Sequence, residues 1–213
     1  MRETMDRILS DLEEVGVRVN NVWDLVNTTD KYPEAVPILL SWLDRIHELP
    51  AGEPREKLRE GIIRALSVPY ARGLAAPAVA RQFAEISNTA ELGPRWVAGS
   101  ALGVVADAGV ADQVIEILLE RSMGRAREMI FEAVPRIAKQ RPDIIDAVRS
   151  LLDDETILPF VIAALGRLRD VQSRDEIARF LTSDRPLVNR QAKIALRRLD
   201  AELARRARST QRN

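Results

Sequence analysis

One apolar signature returns along this chain at a nearly fixed interval. Ala133-Val134-Pro135-Arg136-Ile137 reappears 31 residues on as Ala164-Leu165-Gly166-Arg167-Leu168, and after another 31 as Ala195-Leu196-Arg197-Arg198-Leu199. Ala101-Leu102-Gly103-Val104-Val105 lies 32 residues before the first of these, and Ala65-Leu66-Ser67-Val68-Pro69 a further 36. A period of this size belongs to a supersecondary unit that is stacked on copies of itself, and it constrains the fold more than local propensity does.

The segments between signatures carry helical spacing. Met5, Ile8, Leu9, Leu12 and Val15 fall three and four apart, which predicts a helix over Arg2 to Val15 that Gly16 ends in a left-handed turn. Asn20 or Asn21 can cap a short helix through Val26, and Asn27 to Asp30 reads as a turn. Further helices are predicted at Pro33 to His47, Pro54 to Ser67, Ala75 to Ile86, Arg95 to Ala106, Val110 to Glu120 and Arg125 to Ala138. Pro142 to Leu152, Thr156 to Leu168, Arg174 to Leu181 and Pro186 to Ala207 complete the set, and the Ser87-Asn88-Thr89 run with Gly93-Pro94 makes a break. Asp107 and Asp170, six residues past their alanines, are placed to cap the element that follows.

Paired on the Ala-Leu register, these helices predict an all-α fold. The architecture expected is a right-handed α-solenoid of about five helix pairs at 33–73, 74–110, 111–143, 144–175 and 176–207. Residues 1–32 form an N-terminal helical cap and 208–213 a tail. The physical reason is burial. A lone pair cannot cover the apolar stripe of its second helix, whereas stacking covers it from both sides and the alanine admits close backbone approach.

Composition narrows the function classes. Apolar residues make up 46% and charged residues 30%, which fits an ordered globular chain. No cysteine is present, so disulfides, thiolate chemistry and cysteine-ligated metals are excluded. No apolar run approaches the roughly 20 residues of a membrane helix, and the N-terminus lacks a signal-peptide core, which predicts a cytoplasmic protein that does not enter membranes. Net charge is zero but unevenly spread. Nine Arg and Lys against two acidic residues leave +7 on 185–213, so residues 1–184 carry −7. A charged last helix is how a solenoid stops stacking, which predicts a monomer.

Leu-Leu-Asp-Asp at 151–154, followed by a helix ending Ala-Leu-Gly-Arg-Leu-Arg-Asp at 164–170, resembles bacterial HEAT-like repeats of the variety called phycobilisome-lyase-like. The run Gly124-Arg-Ala-Arg-Glu-Met129 is similar to the start of a second helix in those proteins. Asp24-Leu-Val-Asn27 with Tyr32 to Leu40 is similar to the N-terminal stretch of bacterial HEAT proteins, so the resemblance covers essentially 20–200. It implies a binding scaffold, and by itself no bilin-lyase role. HEAT-type hydroxylases hold two irons with several His-Glu pairs. Here His47-Glu48 is the sole pair, and one imidazole cannot build that site. HEAT-like DNA glycosylases require a basic concave face with aromatics. Trp23, Trp42 and Trp96 are present, but units one to four offer no evident basic groove and Trp42 sits on an apolar helical face.

The residue patterns therefore predict a non-catalytic protein–protein scaffold without metal or cofactor, binding through its second helices. The alternative is a nucleic-acid-binding module that uses the C-terminal Arg cluster. Arg136, Arg167 and Arg198 share one register position and would form a column able to grip an acidic segment of a partner protein. In the bland reading they face water and complement helix carbonyls. Arg197, Arg205, Arg206, Arg208 and Arg212 extend the cationic end, without interleaved aromatics. Asp153-Asp154-Glu155 and Glu13-Glu14 are carboxylate clusters at helix ends, where the dipole accounts for them. His47 reads as a surface residue. Ser67 and Ser100 lack a nucleophile-elbow context, and no phosphate-cradling glycine loop occurs.

Overall fold

A computed structural model describes residues 2–26, 28–87 and 93–211, and among these there is helix and no strand. Eleven α-helices are ordered along the described chain: α1 (Arg2–Glu14), α2 (Ala35–Asp44), α3 (Glu53–Leu66), α4 (Ala76–Glu85), α5 (Pro94–Val105), α6 (Ala111–Leu119), α7 (Val134–Ile137), α8 (Ile144–Arg149), α9 (Leu158–Leu168), α10 (Arg174–Ala178) and α11 (Pro186–Thr210). Short 3-10 turns link them, of which the longest is Arg121–Glu132. The expected turn from Asn27 and the break at Asn88 and Thr89 begin or lie outside the described residues, as does Arg212.

Several boundaries follow from named residues. Gly16 has φ +84°, a conformation that an L side chain seldom adopts, and it ends α1 as expected. Asn21 caps the 3-10 turn Val22–Leu25 through Trp23 N–H, while Asp24 returns the favour to the Asn21 backbone. Asp107 accepts the Gly109 N–H at 2.9 Å and so caps the next turn. Asp170 does not cap through backbone. Its carboxylate instead takes Arg149 in two hydrogen bonds and the Ser173 hydroxyl.

The expected helix Arg125 to Ala138 is the principal correction. Residues 121–132 wind as 3-10 turns around Gly124, whose φ/ψ of 54° and −139° are not helical, and α7 is only a short helix beyond them. Pro135 contributes to the break, because it has no N–H for the carbonyl of Phe131 one turn earlier. The helix foreseen over Pro142 to Leu152 is likewise shorter, and the last helix runs on to Thr210.

Packing follows chain order. α2 lies on α3, α4 on α5, α6 on 121–132, α8 on α9 and α10 on α11. The second members also meet in sequence: α3 with α5, α5 with 121–132, 121–132 and α7 with α9, and α9 with α11. All five register alanines, Ala65, Ala101, Ala133, Ala164 and Ala195, are at most 1% exposed. Glycines two residues past the register tighten two of these contacts. A Cβ on Gly166 would sit 2.8 Å from Ala195 Cα, and one on Gly103 would overlap the carbonyl oxygen of Met129. Large apolar side chains, with Phe83, Phe131, Leu39, Leu43, Ile62 and Leu102 fully buried, fill the space between the two rows.

Candidate interaction surface on the second helices

Helical periodicity places the residues four before, one before and three after each alanine on one face. The middle row, Arg64, Ser100, Glu132, Ala163 and Ile194, is partly or fully exposed on every second element. Met129, Phe160 and Gln191 supply the row before it, and Val104, Arg136, Arg167 and Arg198 the row after it. All of these reach solvent, whereas the alanines beside them do not. The face is thus a ribbon of apolar and polar side chains, with four cations and the carboxylate of Glu132, that runs along α3, α5, 121–132, α9 and α11.

At its N-terminal end the ribbon has a recess of about 190 Å³, lined by Val26, Arg64, Ser67, Val97, Ser100 and Ala101. Arg64 is held at its rim by Glu60 at 2.8 Å and lies 6.0 Å from the centre of the Trp23 ring. The Trp96 indole nitrogen, on the first turn of α5, is buried with no hydrogen-bond partner among the described residues. Ser67 and Ser100 have no imidazole beside them, because the chain's one histidine, His47, is exposed at the 3-10 turn after α2. No group of three or more His, Asp or Glu suited to a metal occurs among the described residues.

Each cation of the proposed column is engaged differently. Arg136 donates to the carbonyls of Ala106 at 2.8 Å and of Gly103 and Val104 at 3.1 Å, so it closes the C-terminus of α5. Burial, with the charge of Arg72 nearby, lowers the pKa of this guanidinium. Arg167 gives one nitrogen to the Phe131 carbonyl at 3.1 Å and another to Glu132 at 2.6 Å. The Phe131 oxygen is the one that Pro135 leaves without a helical donor, so Arg167 on α9 satisfies a carbonyl left open in 121–132. Arg198 is exposed and makes no hydrogen bond to described residues. The first two cations therefore brace neighbouring second elements, and the Arg167 Nε is buried without a hydrogen-bond partner among the described residues.

Farther along, Arg197 donates to the Lys193 carbonyl. Arg205 and Arg206 converge on Glu202, which is buried beneath them and also receives Arg169. These cations hold the Glu202 carboxyl far below the usual carboxylate range. The residue Arg169 itself has φ 55° at the end of α9, the one non-glycine left-handed residue among those described. Trp42, read from sequence as core, is buried and donates its indole N–H to Asp11 at 2.8 Å.

Sequence reasoning missed a buried ion pair. Arg127 is 0% exposed and bonds Asp154 at 2.7 Å, the Leu118 carbonyl at 2.8 Å and the Gly124 carbonyl at 3.0 Å. Burial raises the pKa of Asp154, but the bond and charge of Arg127, together with Thr156, outweigh it and hold the carboxyl below its ordinary value. Asp154 had looked like part of an acidic helix-end cluster. Its neighbour Asp153 does stay at the surface, paired with Arg121 at 2.6 Å.

No family model matches this chain, and neither does any curated protein or solved structure. No described helix is long and apolar enough to cross a membrane.

Proposed function

We propose that this chain is a non-catalytic protein-binding scaffold of HEAT type, a right-handed solenoid that presents the ribbon on its second helices to a partner protein. The observation that carries the reading is the continuity of that ribbon: every second element contributes half-buried side chains to one face, and the helices beneath are fixed by close contacts. A surface already ordered before binding spares the entropy of arranging it. Met129, Phe160 and Ile194 offer apolar anchors, while Arg64, Arg136, Arg167 and Arg198 favour a segment that carries carboxylates. The exposed cations of α11 are the feature that favours the alternative, a nucleic-acid module.

The test is affinity capture from the native host with wild type, a ribbon variant Ala163→Glu and a control on α6, Gln113→Ala. Loss of a captured protein by at least about tenfold with Ala163→Glu alone is the expected result. Equal capture by all three chains overturns the ribbon. Recovery of nuclease-sensitive material that falls steeply with salt supports the nucleic-acid reading instead.

A further inference from the structure

The two ends of the array carry opposite charge in matching geometry. Helix α11 holds seven cations and two carboxylates. Its inner side is Val188, Ala192, Ala195 and Leu199. Arg190, Arg197 and Arg208 project from the opposite side, with Lys193 next to them. Neither carboxylate shares that outer face, because Asp200 is taken by Arg174 at 2.7 Å and Glu202 is buried under Arg205 and Arg206. Arg190, Lys193 and Arg197 thus have no acidic partner among the described residues, with the half-buried Ile194 between them.

At the other end, α1 packs on α2 and leaves its outer side open. A groove of about 610 Å³ runs there, lined by Asp6, Leu9, Ser10, Glu13, Arg18, Val19 and Asn20. Asp6 and Glu13 are exposed and stand seven residues apart, as Arg190 and Arg197 do, which is two turns or roughly 10.5 Å on either helix. Between the acids lies half-buried Leu9, as Ile194 lies between the cations. Glu13 already meets Arg18 at 3.1 Å, but both are exposed, and such a pair exchanges partners at little cost.

We infer that the outer face of α11 docks into the α1 groove of a second copy of this chain, head to tail, with Arg190 and Arg197 on Asp6 and Glu13 and Ile194 against Leu9. Repeated, a heterologous contact of this kind makes open chains of molecules rather than closed dimers. The charged terminal helix ends apolar stacking within one molecule and supplies the junction between molecules.

Sedimentation velocity on the full chain tests it, up to about 0.2 mM protein in about 20 mM and about 500 mM salt. The expected result is a mean mass that rises with concentration at low salt and returns to the monomer at high salt. R190E/R197E and D6R/E13R should each remain monomeric under all conditions with unchanged circular dichroism, and mixing the two variants should restore association. A monomeric wild type at low salt overturns the inference. So does association that survives D6R/E13R, or mixed variants that stay apart, since the cations would then be meeting some other surface or a polyanion.

Discussion

The contact of α9 with α11 and that of α5 with residues 121–132 meet the same demand, two backbones brought close, by different means. In the first, both partners are regular helices, and Gly166 makes room for the side chain and Cα of Ala195. The interlock is side chain into gap. In the second, Gly99 and Gly103 lie one turn apart on α5 and face carbonyl oxygens, those of Ala126 and Met129, on a 3-10 segment. Backbone carbonyls left open around it are taken by polar side chains: Arg127 bonds those of Leu118, at the end of α6, and Gly124, and Arg167 that of Phe131. The α9–α11 contact carries its charge at the edge, where exposed Arg169 meets buried Glu202, whereas residues 121–132 hold a guanidinium that is itself fully buried.

The largest expected effect removes that charge. Asp154→Ala strands a fully buried guanidinium, which costs about 3–5 kcal/mol in chemical denaturation. Replacing both partners, Arg127→Met with Asp154→Leu, recovers part of the loss even though the carbonyls of Leu118 and Gly124 stay unpaired. The pair also sets an acid limit. A carboxyl whose folded pKa is depressed stabilises the protein above its unfolded value, and that contribution disappears as pH falls through the folded value. Stability of wild type relative to Asp154→Asn should therefore be constant near neutrality and shrink from about pH 4 downward. A gap that stays constant into acid would mean that Asp154 titrates as an ordinary surface carboxyl.

The glycines sharpen the comparison at the next size down. Gly103→Ala and Gly166→Ala each gain helix propensity yet should lose about 1–3 kcal/mol through overpacking. Their rescue should differ. Ala195→Gly makes room for the new methyl at 166 and should restore part of the loss there, whereas no side-chain change removes the Met129 carbonyl that faces 103. Thermal melts of the two singles and the 166/195 double decide it. Equal costs with no rescue at 166 would show that both contacts are limited by backbone.

What could be read from the chain beforehand divides along the same line. The buried register alanines, the helices that carry those at 65, 101, 164 and 195, and the caps at Gly16, Asn21 and Asp107 are local patterns, and each lies where spacing and cap chemistry place it, whereas the helix expected at 125–138 does not form. The winding of 121–132 was hidden because Arg125, Arg127 and Glu128 look like the solvated side of an amphipathic helix, whereas Arg127 and Glu128 are buried. Their environment depends on Asp154, in the following unit, and on Arg125, which meets Glu128 at 2.6 Å. The register arginines share this feature. That Arg136 and Arg167 occupy one position was evident, but that each bonds backbone carbonyls some 30 to 36 residues earlier depends on how closely the second elements pack, which local spacing does not reveal.

The smallest effects separate bracing from binding along the ribbon. Arg167→Met removes the donor to the Phe131 carbonyl and should cost about 1 kcal/mol. Pro135→Ala returns a backbone N–H one turn beyond that carbonyl, so in its background the same substitution should cost less. Glu132→Gln, by contrast, touches only the exposed end of the Arg167 interaction, where Glu132 is half exposed. It should change stability by no more than about 0.5 kcal/mol, within the range of surface pairs. Under the scaffold proposal it should nonetheless alter partner affinity, because it removes the one carboxylate among the accessible middle-row residues Arg64, Ser100, Glu132, Ala163 and Ile194. An acidic partner segment should then bind Glu132→Gln more tightly than wild type, with the gain diminishing as salt is raised. Weaker binding by Glu132→Gln would assign the ribbon a cationic partner and make Arg167 a brace alone.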